Sequence, residues 1–193
     1  MSSQPMSLQP MSPQPNPQTV LTFWFQELTP KQWWQVDAGL DQEIGERFAN
    51  LHVQASTCEL SDWRDTAEGR LAEIIILDQF SRNIFRNTPK AFAQDPMALC
   101  LAQEAVRQHC LTSLPSQQSV FLLMPYMHSE SKTIHEQALD LFAKLGKEEN
   151  LQFEQRHKAI IDRFGRYPHR NDILGRTSTP EEIEFLKQPG SHF

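Results

Sequence analysis

No apolar stretch of this chain approaches the roughly eighteen residues that a membrane-spanning helix requires; the runs at 74–77 and 120–124 are far too short. Cysteine is scarce. Cys58, Cys100 and Cys110 are an odd set with no CxxC spacing, which supports neither a disulfide framework nor a zinc finger and fits a reducing, cytoplasmic setting. An excess of positive charge is missing too. The 18 Lys and Arg residues stand against 24 Asp and Glu, for a formal net charge of −6, which argues against a general nucleic-acid binder. Alternating strand patterns are hard to find anywhere. The first 17 residues carry no charge and lack the basic start and apolar run of a secretory leader.

Those residues are instead a repeat of Met, Ser, Gln and Pro, MSSQP MSLQP MSPQP, with prolines at 5, 10, 13, 15 and 17 that forbid a regular helix. Residues 1–17 are expected to form a disordered tail, with Met6 and Met11 as alternative starts. The remaining 18–193 suffice for one domain with a real core. Its punctuation is helical. Thr29-Pro30, Asp95-Pro96 and Thr179-Pro180 each set a capping side chain before a proline suited to a first helical turn, and Glu182 completes a capping box with Thr179. Ile134, Ala138, Leu141, Phe142 and Leu145 form an apolar stripe closed by Gly146, and Ala98, Leu101, Ala102, Ala105 and Val106 form another. Helices are expected at about 18–27, 38–56, 67–80, 96–110, 116–124, 131–145, 149–165 and 180–187. The fold expected is all-α: antiparallel helical pairs arranged as a bundle or a short tetratricopeptide-like solenoid.

Polar residues interrupt the apolar faces at a few places. Leu71, Ile74, Ile75, Asp78 and Arg82 share one helical stripe, so Asp78 is a carboxylate facing the interior, and Arg82 is its nearest partner in sequence. The pair is either a structural ion pair or, with Gln79 and Asn83, the edge of a polar pocket. His157 lies mid-stripe with Ile160, Ile161 and Phe164, as a satisfied core histidine or a functional one. In MPYMHSES, Pro125 is expected to end one helix and Ser129 or Ser131 to cap the next. Glu130 suits that helix start, whereas His128 is read as a free imidazole beside a helix N-terminus, where anions bind.

The most unusual chemistry lies at 156–176. Arg156, Lys158, Arg163, Arg166, Arg170 and Arg176 stand there against Asp162 and Asp172 alone, a local charge of +4 in an acidic protein. Arginines suit fixed recognition of oxyanions. Beyond Gly165, the run Arg166, Tyr167, Pro168, His169, Arg170 and Asn171 concentrates cations that need acidic partners, with Asp78, Glu130 and Asp172 available, or an anionic ligand.

The segments LTFWF, LDQFSRNIFRNTPKAFAQD, MPYMHSE, HKAIIDRFGRYPHRNDILGR and STPEE resemble, in order, the motifs of the bacterial family known as domain of unknown function 924. The resemblance runs from about residue 19 to 186. It implies a fold related to tetratricopeptide-type helical pairs and no activity. It also groups Asp78, Gln79, Arg82, Asn83, His128, Ser129, Glu130, His157, Arg163, Arg166, His169, Arg170, Asn171 and Arg176. One departure is Asn87, where the pattern leads one to expect glycine.

Two functions compete. In one, arginines 82, 163, 166, 170 and 176 with Gln79, Asn83 and Asn171 hold a phosphorylated or carboxylated small molecule, while His128, His157 or His169 moves protons with Asp78 or Glu130. In the other, a helical groove clamps an acidic peptide, with Trp24, Trp33, Trp34 and Trp63 either lining it or packing in the core. A third possibility is a buried structural network with no ligand. No HExxH-like spacing supports a metal, and so many arginines repel one; no cofactor is indicated.

Overall fold

The computed structural model describes residues 16–191, so residues 1–15 of the tail expected at 1–17 lie outside the described residues. Every regular element among those described is helical. Asn16 accepts a hydrogen bond from the Thr19 amide, and with Pro17 in the first turn it starts α1 (Pro17–Thr22), which is where a proline costs nothing. Asp37 caps α2 (Ala38–Ser56) and Thr66 caps α3 (Ala67–Ile75). The α3 helix does not stop there. It widens into a π-helical turn, Ile76–Phe80, and tightens again into α4 (Ser81–Ile84). The rest follow as α5 (Asp95–Arg107), α6 (Cys110–Ser113), α7 (Ser116–Met127), α8 (Lys132–Leu145), α9 (Glu148–Phe164) and α10 (Pro180–Phe185).

The rod made by α3, the π turn and α4 is the centre of the molecule. Residues 71–81 are buried on all sides, because α1, α5 and α7 pack around α3 while α2 covers the π turn and α4. The α7, α8 and α9 helices pack in succession, each on the next. A second, smaller apolar cluster joins Ile160 and Ile161 of α9 to Tyr167 in the loop after it, backed by Phe164 and Phe185. Tyr167 joins it to the main core, since its hydroxyl donates to the Met127 carbonyl.

Several local expectations are corrected. Pro125 does not end a helix but sits inside α7, which runs on to Met127. Proline removes one backbone donor, but the buried packing of 119–127 and the bond from the His128 amide to the Met124 carbonyl at 3.0 Å carry the helix past it. Asp95 is the first residue of α5 and caps nothing; its carboxylate is committed to arginines. Thr29 donates to the Gln32 side chain and opens a 3-10 turn, not an α-helix. Ser131 stands at the N-cap of α8 without a side-chain bond. Thr179 does form its capping box with Glu182, and Gly146 closes α8 in the left-handed conformation. Asn87 explains its own oddity: its φ is +60°, a conformation natural to glycine and tolerated by Asn.

Candidate functional site

The π turn places Asp78 at the centre of a polar cluster. Such turns inside α-helices recur at functional sites because they turn side chains out of the regular register. Fully buried, Asp78 accepts hydrogen bonds from His128 Nδ1 at 2.7 Å and from Gln79 Nε2, and faces an Arg82 guanidinium nitrogen at 3.2 Å. Arg82 in turn donates to the Asp78 carbonyl and forks onto Asp95 at 2.9 and 3.1 Å. Arg170 reaches the same Asp95 oxygen at 3.2 Å. Its guanidinium is held against the rings of Phe92, at 4.6 Å, and Tyr167, at 4.7 Å. Only 6% of Arg170 is exposed, and its Nε is buried with no acceptor among the described residues.

These surroundings set the charges. Burial alone would raise the Asp78 carboxyl, but Arg82 and His128 outweigh it and hold the group well below the usual carboxylate range. Burial and then Arg82 push His128 down, against the pull of Asp78, so at neutral pH the imidazole is neutral with its proton on Nδ1. Its side chain is 17% exposed, and Nε2 has no hydrogen-bond partner among the described residues. Arg170 is also pushed down, by burial and by Arg82 beside it.

A second set staples the loop after α9 onto the turn after α7. Glu130 receives Arg176 in a fork at 2.6 and 3.0 Å and the Tyr167 amide at 2.8 Å. Arg176 also donates to Asn171 Oδ1 and the Tyr167 carbonyl. Arg166 forks onto Glu182 and so pulls that carboxyl down to about 2. Arg163 pairs with Glu181 and Lys158 with Asp162, both at the surface. The basic segment is therefore largely neutralised from within; Asp172 is exposed and takes no ion pair among the described residues.

Asp78, Gln79, Arg82, His128 and Arg170 thus converge, and Glu130, Asn171 and Arg176 support them. Asn83 does not join them: its amide donates to Asp41, which also forks onto Arg86. Arg163 and Arg166 lie with α10 instead. His128 ends α7, bound to Asp78, and is not a free imidazole at a helix start. His157 is buried, donates from Nδ1 to the Phe153 carbonyl, and stands edge-on to Tyr167 at 5.8 Å; burial pushes it down to about 3. His169 lies against Tyr167 as well, at 5.5 Å. Among the described residues, no three His, Cys, Asp or Glu side chains group closely enough to hold a metal ion, and no helix is long and apolar enough to cross a membrane.

Sequence reasoning took Asp95 for a cap and passed over His135 and Glu154. These last two are fully buried and meet at 2.6 Å, while His135 Nε2 faces the Ser129 carbonyl at 2.8 Å and the Tyr167 hydroxyl at 3.2 Å. A signal existed. His135, Ala138 and Phe142 fall at i, i+3 and i+7, as do Glu154, His157 and Ile161, so both side chains belong to buried stripes.

The comparisons bear on the family and the fold. The model of the family described as bacterial protein of unknown function, DUF924, matches residues 20–190. The chain belongs to this family. Its fold is shared by the protein of unknown function ATU0120 from Agrobacterium tumefaciens, a solved structure with 37% sequence identity and a TM-score of 0.84, over 89% of this chain and 96% of that one. No curated protein sequence matches. The DUF924 match spans the π turn, the 128–131 turn and the loop after α9, so every residue of the polar cluster lies within the family region.

Proposed function

We propose that the Asp78–His128 pair, with Arg82 and Arg170 beside it, binds a small molecule bearing a carboxylate or phosphate and moves a proton on it. The observation that carries this reading is the division of labour on one imidazole. Nδ1 is spent on an ionised, buried carboxylate, while Nε2 keeps a free lone pair on a partly exposed side chain. A carboxylate that fixes tautomer and ring orientation leaves the outer nitrogen as a general base. Arg170 supports the anionic half, because a buried guanidinium nitrogen without an acceptor gains most from an oxyanion. Asp78 and Asp95 balance Arg82 and Arg170, so an added anion is matched by protonation of His128. The peptide-clamp alternative has less support: Trp24 is buried and Trp33 and Trp63 pack on the core, leaving Trp34 exposed.

The test uses the scarcity of tyrosine. Tyr126 and Tyr167 are the two in the chain, so fluorotyrosine labelling gives one fluorine signal for each, assigned by Tyr126→Phe. Tyr167 underlies Arg170. Inorganic phosphate and acetate are expected to move the Tyr167 signal and to raise the His128 pKa measured by NMR. If neither probe affects either group, the site does not take anions.

A further inference from the structure

A different face of the molecule carries a concavity that plays no part in the polar cluster. An open groove of about 360 Å³ lies between α5, α7 and α8. On its floor lies Tyr126, the aromatic residue of the MPYMHSE segment, only 3% exposed. A buried tyrosine hydroxyl ordinarily finds a partner. The Tyr126 hydroxyl has none among the described residues and is not sealed in the interior, so it opens into the groove. Tyr126 and His128, two residues apart, thus serve different sites.

The rim carries charge of both signs. Arg107 and Lys144 stand on it with Asp140, over walls of Val106 and Leu141. Asp140 and Lys144 are four residues apart on α8, the orientation that favours an ion pair. Elsewhere on the surface such spacings close, with Glu43 and Arg47 at 2.8 Å and Lys158 and Asp162 at 2.6 Å. Asp140 and Lys144 form no ion pair among the described residues. Arg107 has only a loose contact to Glu104, at 3.6 Å on an exposed side chain, a contact worth little. Opposite charges held apart over an unpartnered phenol are complementary to a molecule that carries both charges itself.

We propose that this groove binds a small zwitterion of the α-amino acid type. Its carboxylate is received by Arg107 and Lys144 with a hydrogen bond from the Tyr126 hydroxyl. Its ammonium group is received by Asp140, and an apolar side chain rests on Val106 and Leu141. Both charges are required, since either alone leaves one rim group unpaired.

The same fluorotyrosine-labelled protein provides the test, and the two signals separate this site from the one at Arg170. L-Leucine is the probe, with acetate and methylammonium as single-charge controls. Leucine is expected to shift the Tyr126 signal at concentrations about tenfold below either control, the effect of one added charge-assisted hydrogen bond. Asp140→Asn and Lys144→Met, both at exposed positions, are each expected to weaken the response by about tenfold. Equal responses to acetate and leucine would overturn the zwitterion assignment, as would a silent Tyr126 signal or a leucine response unchanged in both variants. A shift confined to Tyr167 counts against the groove, and a shift confined to Tyr126 leaves the Arg170 site to be judged by phosphate.

Discussion

Among the described residues, two carboxylate–imidazole pairs, Asp78–His128 and Glu154–His135, differ in what each imidazole has left over. His135 meets Glu154 at 2.6 Å with neither side chain exposed, and its second nitrogen is committed to the Ser129 carbonyl and the Tyr167 hydroxyl. A carbonyl only accepts, so Nε2 carries a hydrogen, and the pair holds one further proton between Nδ1 and the carboxylate. His128 meets Asp78 at 2.7 Å with the same nitrogen, but its second nitrogen faces outward. The surroundings of the carboxylates diverge as well. Arg82 and His128 hold Asp78 ionised, whereas burial pushes Glu154 up. Residue type is the same in both pairs. The uncommitted nitrogen separates the pair to which we assign a proposed ligand from one that fixes the 128–131 turn against Tyr167.

The largest effect should come from opening the sealed pair. Glu154→Ala leaves a buried imidazole facing a void and is expected to cost about 3–5 kcal/mol in urea unfolding. Replacing both partners, His135→Leu with Glu154→Leu, should recover a substantial part of that loss, because no polar group is then stranded. A loss below about 1 kcal/mol for the single variant would mean that the pair is not sealed in solution, and the contrast with Asp78–His128 would collapse.

His157 provides a third case, a buried imidazole whose Nδ1 donates to a backbone carbonyl, that of Phe153. Its pKa is depressed to about 3, against about 6.5 in an unfolded chain. Between those values the unfolded chain binds the proton and the folded one does not, so stability falls as pH drops through this window and is unaffected above it. At pH 4 the loss from this group reaches roughly 3 kcal/mol. His157→Gln, which can still donate to the Phe153 carbonyl, should flatten the wild-type stability curve between about pH 6.5 and 4. An unchanged slope would mean that His157 does not set the acid sensitivity.

The fold was legible where chemistry is local. Thr179 with Glu182, Gly146 and the stripes of α5 and α8 announced helix ends and buried faces, and the structure has them there. The site was legible only as residue types. Asp78 facing inward followed from periodicity, but its partnership with His128, 50 residues away, depends on how α7 crosses the central rod, and periodicity holds no information about crossings. Asp95 was misread for a related reason: Asp before Pro does mark a helix start, and α5 begins there, but the carboxylate is taken by Arg82 and Arg170 instead of capping it. The cations of 156–176 looked like one patch because they are close in sequence. Helix α9, the turn at Gly165 and α10 distribute them over separate carboxylates.

The smallest expected change in stability makes the sharpest test of the comparison. In His128→Asn the side-chain amide lies near the position of imidazole Nδ1 and can still donate to Asp78, which also keeps Arg82 and Gln79. Only the outward nitrogen is lost. Stability should therefore change by less than about 1 kcal/mol, while the proton-accepting function disappears and the Tyr167 signal loses the pH-dependent part of its response to phosphate. A large loss of stability would instead mean that the imidazole is as structural as that of His135. In that case the outward nitrogen would be an accident of packing, and the two pairs would be one kind of object.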